Sequence, residues 1–384
     1  MQAVILAAGE GTRLRPLTRS KPKALIPVAN RPIIAHVIDA LTANGIRDIV
    51  VVVGYRRESV QAFLNDLDVP VRTVVQEKQL GTAHAIRSAV PEITEDFLVL
   101  PGDNYIDAGS IAKIKGEPCA MLVKEHPSPS NFGVVLIRDG LVAGIIEKPE
   151  EASTLTVSTG ILSLPRDVLG SLAGKNEIPD ALMGLIRKGM RMKAIMAGNW
   201  MDAIYPWDLL RMNQSLLSLV TSEKAGRMAG NVAFTGAVRV GKGTSIGPNS
   251  TITGPVVIGE DCRIGPGSCI LPGTSIGSRV TIDPFTMLGS SLVMDDTFIG
   301  SHSRILDAVI GEGCRIADHT STDGTPSLFS IEGKVQKAEF GAVLGDRVTT
   351  APFTVLRTCI VGNGAVIREG RTITQILPDN TLVM

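Results

Sequence analysis

AVILAAGEGTRL, residues 3–14, is an apolar run that breaks directly into a turn containing two glycines. Gly9 and Gly11 have no Cβ, so their backbone N–H groups can approach an anion closely. Arg13 and, further along the chain, Lys23 add positive charge beside those amide dipoles. The stretch therefore predicts a strand followed by a loop that binds the phosphates of a nucleoside triphosphate.

Two better-known phosphate loops do not fit this stretch. The dinucleotide fingerprint needs a third glycine where Leu14 stands, and no Walker A Gly-Lys-Ser/Thr follows. The longer string GEGTRLRPLT at residues 9–18, with KPK at residues 21–23, resembles the signature of the sugar-1-phosphate nucleotidylyltransferases. That resemblance implies catalytic roles for Arg13 and Lys23. The nucleotide-binding residues that it implies in this loop are Ala8, Gly9, Gly11, Thr12 and Arg13.

The composition favours two folded domains and excludes several functions. A chain of 384 residues, 44% of them apolar, is too long for one ordinary core. Thirty-eight basic and 38 acidic residues give no net charge, and only 4% are aromatic, which argues against a nucleic-acid partner. The five cysteines form no Cys-x-x-Cys pair, and no apolar run reaches the ~18 residues of a membrane helix. We expect a cytoplasmic protein with no membrane partner.

Strand-like and helix-like stretches alternate through residues 1–224, the predicted first domain. This alternation is typical of an α/β domain, here Rossmann-like, with a mixed, mostly parallel sheet and helices on both faces. Later strands are predicted at residues 48–54, 71–76, 96–103 and 192–202, and helices at residues 31–44 and 58–67.

Gln76 ends a predicted strand and is followed by a glycine turn and a helix start, GTAHA at residues 81–85. It is therefore expected at the carboxyl edge of the sheet, where α/β proteins bind ligands. A Gln amide offers a donor and an acceptor side by side, which suits the O4 and N3–H edge of a pyrimidine. The resemblance implies that Gln76 and Gly81 contact the base of UTP or dTTP, with Thr82 also in the nucleotide-binding set. His84 is predicted to be structural or peripheral.

Asp103 and Asp202 each close a predicted apolar strand. A carboxylate at that position is commonly a metal ligand and less commonly a loop cap. The resemblance implies that the two together hold Mg²⁺, which would neutralise charge at the α-phosphate and on the leaving pyrophosphate. Asn104 is either an assisting ligand or a turn residue.

Shorter strands after residue 118 carry a second set of polar residues. EKP at residues 147–149 follows a predicted strand and resembles the family's Glu-Lys-Pro motif. The resemblance implies that Glu147 accepts hydrogen bonds from sugar hydroxyls and that Lys148 binds the sugar phosphate. Gly133 matches a glycine whose backbone lies against the sugar. Ser158, also in the predicted sugar-phosphate set, stands where many members have Asn, so the identity of the sugar stays open.

The periodicity changes to six in the second half of the chain. Aliphatic residues recur there without a gap at Val240, Ile246, Ile252, Ile258, Ile264, Ile270, Ile276, Ile282 and Leu288. Since neither a helix nor an ordinary sheet has a period of six, the pattern predicts a left-handed parallel β-helix of hexapeptide repeats at residues 237–384, after a linker at residues 225–236. Cys262 and Cys314 are predicted to fill its interior. The repeat slips near Ile299, and a polar loop interrupts it at about residues 321–340.

Many such β-helices are acetyltransferases that work as trimers, and the whole chain is similar to archaeal bifunctional nucleotidylyltransferase/acetyltransferases. The similarity implies a homotrimer, or a multiple of one, with acetyl-CoA as a possible second cofactor and His302 or His319 as a possible general base. The family's Tyr shortly after that His is replaced by Arg304 and Ile305, and its Asn-Leu-Arg loop is missing. We therefore favour a β-helix that serves as a trimerising scaffold.

The sequence thus predicts an enzyme that joins UTP or dTTP to a hexose or N-acetylhexosamine 1-phosphate and releases pyrophosphate. A second hypothesis adds acetylation of glucosamine 1-phosphate by the β-helix. A third is a non-catalytic regulatory subunit of the same fold. Such a subunit would be expected to lack Arg13, Lys23, Asp103 or Asp202, and all four are present.

Overall fold

The computed structural model of the chain describes residues 1–331 and 333–384, and these form two compact units. Unit 1 comprises Met1–Glu10, Pro22–Leu25 and Ile33–Asp202. Unit 2 comprises Gly11–Lys21, Ile26–Pro32 and Ala203–Met384. Two short segments near the amino terminus are therefore counted with the carboxyl-terminal half, a division that the sequence pattern did not predict.

Unit 1 is an α/β domain built on a nine-stranded sheet. The strands of this unit are β1 (Gln2–Ala7), β2 (Ile49–Val53), β3 (Val71–Val75), β4 (Phe97–Pro101), β5 (Asn104–Ile106), β6 (Ala120–Glu125), β7 (Gly133–Arg138), β8 (Leu141–Glu147), β9 (Thr156–Leu164), β10 (Lys193–Met196) and β11 (Trp200–Asp202). Its helices are α1 (Ile33–Ala43), α2 (Arg57–Asn65), α3 (Thr82–Ala89), α4 (Ala108–Ile114) and α5 (Ile178–Arg187). Short 3-10 turns lie at Lys23–Leu25, Val90–Glu92, Pro129–Asn131 and Arg166–Leu172.

The large sheet is mixed, in the order β3-β2-β1-β4-β9-β6-β10-β8-β7. Strands β1 to β4 pair in parallel, and β9 then pairs antiparallel with both β4 and β6. Strand β2 reads IVVVV and is buried throughout, as expected for β-branched residues covered on both faces. Because β1 to β4 run in one direction, their carboxyl ends meet at one edge of the sheet.

The predicted strand at residues 192–202 is in fact two strands. Strand β10 ends at Met196, and β11 begins at Trp200 and leaves the large sheet to pair with β5. The carboxylate of Asp107 accepts a hydrogen bond from the N–H of Asn199 (2.9 Å) and fixes the turn between the two strands. Periodicity does not distinguish one long strand from two short ones separated by such a turn.

Unit 2 contains a parallel β-helix whose strands form three sheets of nine, nine and eight strands. The first sheet contains Glu223–Lys224, Val238–Val240, Val256–Ile258, Thr274–Ile276, Leu292–Val293, Ala308–Ile310, Ala342–Leu344, Cys359–Val361 and Ile376–Leu377. The second contains Arg227–Met228, Ser245–Ile246, Arg263–Ile264, Thr281–Ile282, Phe298–Ile299, Arg315–Ile316, Thr349–Thr350, Val366–Ile367 and Leu382–Val383. The third contains Ala233–Thr235, Thr251–Thr253, Cys269–Ile270, Met287–Gly289, Arg304–Leu306, Ser321–Asp323, Val355–Arg357 and Thr372–Ile373.

Unit 2 also holds helix α6 (Asp208–Leu217), the short paired strands Pro27–Val28 and Arg31–Pro32, and 3-10 turns at Thr12–Leu14 and Leu17–Arg19. None of the helices in the described residues is long and apolar enough to cross a membrane.

The predicted interior of the β-helix is confirmed. All nine aliphatic residues of the period-six series are buried in one core cluster. Cys262 and Cys314 lie in the same core, and burial raises the pKa of the Cys314 thiol to about 12. Since the thiolate is the reactive form, this thiol is an interior side chain rather than a nucleophile.

One repeat is shorter by a residue, and the missing residue lies in a turn, so the pairing of the strands is unchanged. Leu288 and the next interior residue, Val293, are five positions apart, yet Val293 still pairs with Ile276 one coil earlier. The polar interruption is an excursion from the coil, in which Ser327–Ile331 and Lys334–Ala338 pair as an antiparallel hairpin.

Residues 225–236, expected as a linker, instead form part of the first coil. Arg227–Met228 and Ala233–Thr235 pair in parallel with strands of the following coil. Met228 and Phe234 lie twelve and six positions before Val240, in phase with the series, and pack against its core, but they are not of the aliphatic types of the later repeats. Atypical residues are usual in a terminal coil that covers the end of a repeat array. The sequence pattern alone therefore placed the start of the β-helix too late.

Candidate active site

Asp103 and Asp202 are brought together by the small sheet of β5 and β11. Asp103 directly precedes β5, and Asn104, the first residue of that strand, pairs with Asp202, the last residue of β11. Two carboxylates far apart in sequence therefore share one location. Lys23 lies between them, its Nζ 2.6 Å from Asp202 Oδ1 and 3.1 Å from Asp103 Oδ2.

Lys23 is a buried ammonium held by two acids. Burial by itself lowers the pKa of Lys23, but attraction to Asp103 and Asp202, with a hydrogen bond to each, outweighs it and raises the pKa above its usual value. The stabilisation from this charge is therefore fully present below the unfolded pKa of about 10.4 and is lost only as the pH rises through the higher folded pKa. Lys23 stays protonated at neutral pH.

The same residues fit a magnesium ion. Mg²⁺ is usually held by one or two carboxylates plus the phosphate oxygens of a substrate, and it keeps several of its waters. Asp103 and Asp202 supply two such carboxylates within reach of a single cation. Asn104 follows Asp103 in the chain and pairs with Asp202, and its Oδ1 is buried with no hydrogen-bond partner among the described residues, so it is an oxygen acceptor without a donor there. Within residues 1–331 and 333–384, no group of three or more His, Cys, Asp and Glu side chains is placed to hold a metal.

The glycine loop is divided between the two units, with Ala8 and Gly9 in unit 1 and residues 11–21 in unit 2. A Cβ at Gly9 would meet no atom within 4 Å, so packing within the protein does not require glycine there. Gly11 has φ 71°, a left-handed conformation that glycine adopts most easily. It starts the 3-10 turn Thr12–Leu14, which carries Arg13 and is anchored by the buried Leu14.

Gln76 is buried at the carboxyl end of β3 with its amide orientation fixed. Its backbone N–H donates to Val53 O (2.8 Å), and its side-chain Nε2 donates to Gly81 O (3.1 Å). Because a carbonyl can only accept, Nε2 must face Gly81, and Oε1 remains the acceptor of the amide. Nε2 also lies 2.9 Å from His84 Nδ1, which must then accept, so the proton of this imidazole sits on Nε2.

His84, which was predicted to be structural or peripheral, contacts the side chain of Gln76, and the sequence analysis did not predict this contact. The signal was available: Gln76 and His84 flank a turn that folds the start of α3 back towards the end of β3. Gly81, with φ 118°, has no space for a side chain in this turn, because a Cβ would lie 2.5 Å from Asn176 O.

Replacing His84 with Leu should raise KM for the nucleotide about tenfold and leave kcat nearly unchanged. The Gln76 amide then loses one of the two partners that hold its orientation and keeps only Gly81 O, which weakens binding of the nucleotide. Steady-state kinetics with the nucleotide varied would measure this. Ser88→Ala, one turn further along α3, is the matched control, because its hydroxyl bonds only to His84 O among the hydrogen bonds described. An equal fall in kcat and kcat/KM for His84→Leu would contradict the positioning role.

The hydroxyl of Thr82 forms hydrogen bonds within the protein. Its hydroxyl donates to Glu177 Oε2 (2.8 Å) and accepts from Ile178 N–H (3.0 Å), which ties the start of α3 to the start of α5. A contact between Thr82 and the nucleotide stays a prediction.

The predicted sugar residues Gly133, Glu147 and Ser158 lie on the strands β7, β8 and β9, and Lys148 directly follows β8. Gly133 pairs with Glu147, and a Cβ at Gly133 would lie 3.0 Å from Glu147 Oε2 and 3.9 Å from Ser158 Cβ. Lys148 Nζ pairs with Glu147 Oε1 (3.1 Å), and the Lys148 backbone is left-handed, with φ 43°. Such a conformation is uncommon for a long side chain and often marks a functional position.

His302 and His319 lie on the surface of the β-helix in a column of four stacked rings. The centroid of His302 is 5.2 Å from that of Phe285 and 5.1 Å from that of His319, and Phe353 stacks on His319 at 4.8 Å. All four residues have φ between 55° and 60°, so they occupy the same type of turn on successive coils. The two candidate bases of the second hypothesis are therefore neighbours, each with aromatic partners.

Comparison with known proteins identifies the family. The family model described as "Nucleotidyl transferase" matches residues 2–218, more than half of the chain. The chain belongs to the nucleotidyl transferase family. A second model, described as "GMPPB C-terminal domain", matches residues 252–376, so the family domain is followed by a β-helix of that kind.

Two curated relatives narrow the functional class, and one solved structure shares the fold. The bifunctional protein GlmU of Methanococcus maripaludis strain S2 is 39% identical, and the match covers 91% of this chain and 89% of that protein. The UTP–glucose-1-phosphate uridylyltransferase AglF of Haloferax volcanii is 38% identical over 56% of this chain and 96% of its own length. A structure of UDP-glucose pyrophosphorylase from Acinetobacter baumanii shares the fold, with a TM-score of 0.50 at 22% identity, covering 56% of this chain and 92% of that one.

This chain is thus a sugar-1-phosphate nucleotidyltransferase, an enzyme of sugar nucleotide biosynthesis that uses a nucleoside triphosphate and a sugar 1-phosphate. That result removes the alternative of a non-catalytic regulatory subunit.

Proposed function

We propose that the enzyme makes a UDP- or dTDP-sugar and pyrophosphate from UTP or dTTP and a hexose or N-acetylhexosamine 1-phosphate. The observation that carries the proposal is the Lys23 ammonium fixed between Asp103 and Asp202. Two carboxylates around one buried cation form a charged centre of the kind that phosphoryl chemistry requires. The glycine loop and the Glu147-Lys148 pair supply the predicted contacts to the two substrates.

The proposed reaction is an in-line displacement at the α-phosphorus. A phosphate oxygen of the sugar 1-phosphate forms a bond to that phosphorus, and the bond to the oxygen of the β-phosphate breaks. The electron pair leaves with pyrophosphate. Because the nucleophile is already an anion at neutral pH, the protein needs no general base, and positioning and charge stabilisation carry the catalysis.

Particular residues would do this positioning. Lys148 would hold the phosphate of the sugar and Glu147 its hydroxyls, while Arg13 and the N–H groups of Gly9 and Gly11 would hold the leaving pyrophosphate. Mg²⁺, held by Asp103 and Asp202, would neutralise phosphate charge that builds up during the reaction. Lys23 would keep the two carboxylates in place and add a fixed positive charge.

The orientation of Gln76 supports a uracil or thymine base. With Nε2 donated to Gly81 O, the amide presents Oε1, which can accept from a base N3–H. Uracil and thymine carry that proton, whereas N3 of cytosine and N1 of adenine are acceptors and would face Oε1 unfavourably. Guanine also carries a proton, at N1, so the orientation of Gln76 disfavours cytosine and adenine, and the choice of a pyrimidine over guanine rests on the resemblance to the family. One relative, AglF, is named for UTP, which supports this choice.

Pyrophosphate release tests the proposal directly. UTP, dTTP, ATP, GTP and CTP would each be combined with the 1-phosphates of glucose, N-acetylglucosamine and glucosamine in the presence of Mg²⁺. We expect a signal confined to UTP or dTTP and one or two sugars. The Asp103→Asn protein, purified in the same way, shows whether the signal belongs to this enzyme. A preference for CTP or ATP would overturn the assignment of Gln76.

A second activity, acetylation of glucosamine 1-phosphate with acetyl-CoA, is favoured by one finding. The relative that matches 91% of this chain is named a bifunctional protein. His302 and His319 are both exposed and could act as the base. Thiol release from acetyl-CoA in the presence of glucosamine 1-phosphate, abolished by His302→Ala or His319→Ala, would support this activity. No thiol release from a protein that is active in nucleotidyl transfer would leave the β-helix as a scaffold.

We also propose that the enzyme is a homotrimer or a multiple of one, assembled through the β-helix. Light scattering coupled to gel filtration would give its mass in solution. A monomeric mass at micromolar concentration would contradict the proposed assembly.

A further inference from the structure

The β-helix holds the segment that carries Arg13. Residues 11–21, here called the cationic segment, contain four basic residues, Arg13, Arg15, Arg19 and Lys21. The cationic segment and the later coils of the β-helix belong to the same compact unit. Contacts that join them are Lys21 Nζ to Glu312 Oε2 (2.7 Å), Ser20 Oγ to Asp346, Arg19 Nε to Asp379 Oδ2 (2.9 Å) and Asn363 Nδ2 to Pro16 O (3.1 Å).

The four coil residues in these contacts form one continuous column. Glu312, Asp346, Asn363 and Asp379, here called the corner column, occupy the same corner on successive coils. Asp346 Oδ1 accepts from Glu312 N–H (2.8 Å), Asn363 Oδ1 accepts from Asp346 N–H (2.7 Å), and Asp379 Oδ1 accepts from Asn363 N–H (2.9 Å). The side chains of Asp346, Asn363 and Asp379 therefore bond to the backbone of the preceding coil, and all four column side chains bond to the cationic segment.

On an earlier coil, the residue at the same corner has a side-chain partner from the β-helix itself. Asp295 Oδ1 accepts from Ser278 N–H (2.9 Å) in the same way, but its Oδ2 pairs with Arg279 from within the β-helix (3.2 Å). In the corner column, Arg19, Ser20 and Lys21 take the place of such an internal partner. Asp346 and Asn363 are 3% and 9% exposed, so their bonds to the segment are shielded from water.

We propose that the corner column orders the cationic segment and thereby positions Arg13 for nucleotidyl transfer. The inference rests on the proposed role of Arg13. A loop with two glycines samples many backbone conformations, and the corner column reduces that freedom from Pro16 to Lys21. Catalytic groups that are misplaced by about 1 Å can lose roughly a hundredfold in rate, so this anchoring should matter for turnover.

Amide hydrogen exchange and kinetics on matched variants test the proposal. Ser20→Ala removes a hydroxyl of the cationic segment that bonds to the corner column, and Asn363→Ala removes an amide of the column that bonds to the segment. Asp295→Ala is the control, because Asp295 is a similar corner residue whose described bonds stay within the β-helix. We expect exchange in peptides from residues 11–21 to become at least about tenfold faster in the first two, with kcat for pyrophosphate release reduced by up to roughly a hundredfold. Asp295→Ala should match the wild type in both measurements.

A charge reversal provides a second, independent test. Lys21→Glu and Glu312→Lys should each speed exchange and lower kcat, and the double variant should recover most of both losses because the ion pair is restored in the opposite sense. Failure of the double variant to recover would overturn the role of this pair.

The outcomes separate the anchoring from the proposed function. Unchanged exchange in Ser20→Ala and Asn363→Ala would show that the column does not order the segment. Faster exchange with unchanged kcat would show that the column does not position Arg13. If the wild type releases no pyrophosphate from any substrate pair, the proposed function fails, while exchange still decides whether the column orders the segment.

Discussion

Replacing Asp103 with Asn should lower kcat/KM for pyrophosphate release by about a thousandfold, which corresponds to ~4 kcal/mol of transition-state stabilisation. The substitution keeps the size of the side chain and removes one of the two charges that face Lys23 and the proposed metal. The Asp103 side chain is 40% exposed, so its loss should disturb folding little. Kinetics with saturating and limiting substrate, together with thermal unfolding, would measure both effects.

The matched control lies at the other end of the same strand. Asp96 precedes β4, as Asp103 follows it, and its carboxylate accepts a hydrogen bond from Arg166 N–H (2.9 Å). Asp96→Asn should therefore keep wild-type kinetics. Normal turnover in a folded Asp103→Asn protein would refute the assignment of this carboxylate to the reaction.

Replacing Lys23 with Met should abolish activity and also weaken the fold. Removal of the ammonium leaves Asp103 and Asp202 as neighbouring negative charges without their shared cation. Breaking a fully buried ion pair costs about 3–5 kcal/mol, and the exposure of Asp103 reduces the expected loss here to about 2 kcal/mol. Chemical denaturation of the variant and the wild type at neutral pH would give the difference in unfolding free energy.

The same variant tests whether the carboxylate pair binds a divalent cation. Without Lys23, added Mg²⁺ should raise the melting temperature more than it does in the wild type, because the metal would supply the missing positive charge. Lys113→Met removes an exposed ammonium that donates to Met196 O, and its response to Mg²⁺ should equal that of the wild type. An identical response in all three proteins would argue against a metal at Asp103 and Asp202.

The pH dependence of this stability follows from the raised pKa of Lys23. The folded protein keeps the proton to a higher pH than the unfolded chain does, so the advantage of the wild type over Lys23→Met should be constant across neutral pH. It should shrink only above about pH 10.4, where the unfolded chain releases its proton first. If the difference in unfolding free energy between the wild type and Lys23→Met disappears between roughly pH 6 and 8, another group controls the pH dependence.

Local pattern was enough for the sequence to determine both fold classes. The apolar run before Gly9 and the period of six from Val240 each reflect the spacing of buried side chains along the chain. That spacing is set by the local secondary structure and can therefore be read from neighbouring residues. The glycine turn and the strand-end position of Gln76 follow from the same local information. For this reason the α/β domain and the β-helix interior could be predicted from local pattern, whereas the set of candidate residues came from the resemblance to the family.

Only the tertiary structure decided which of those residues meet. The pairing of β5 with β11 sets Asp103 beside Asp202 around Lys23, and the turn before α3 sets His84 against Gln76. Likewise, the cationic segment is counted with the β-helix because its polar and charged groups find partners on the corner column. These contacts join positions that are distant in the chain, and strand pairing and side-chain direction, which periodicity does not encode, bring them together.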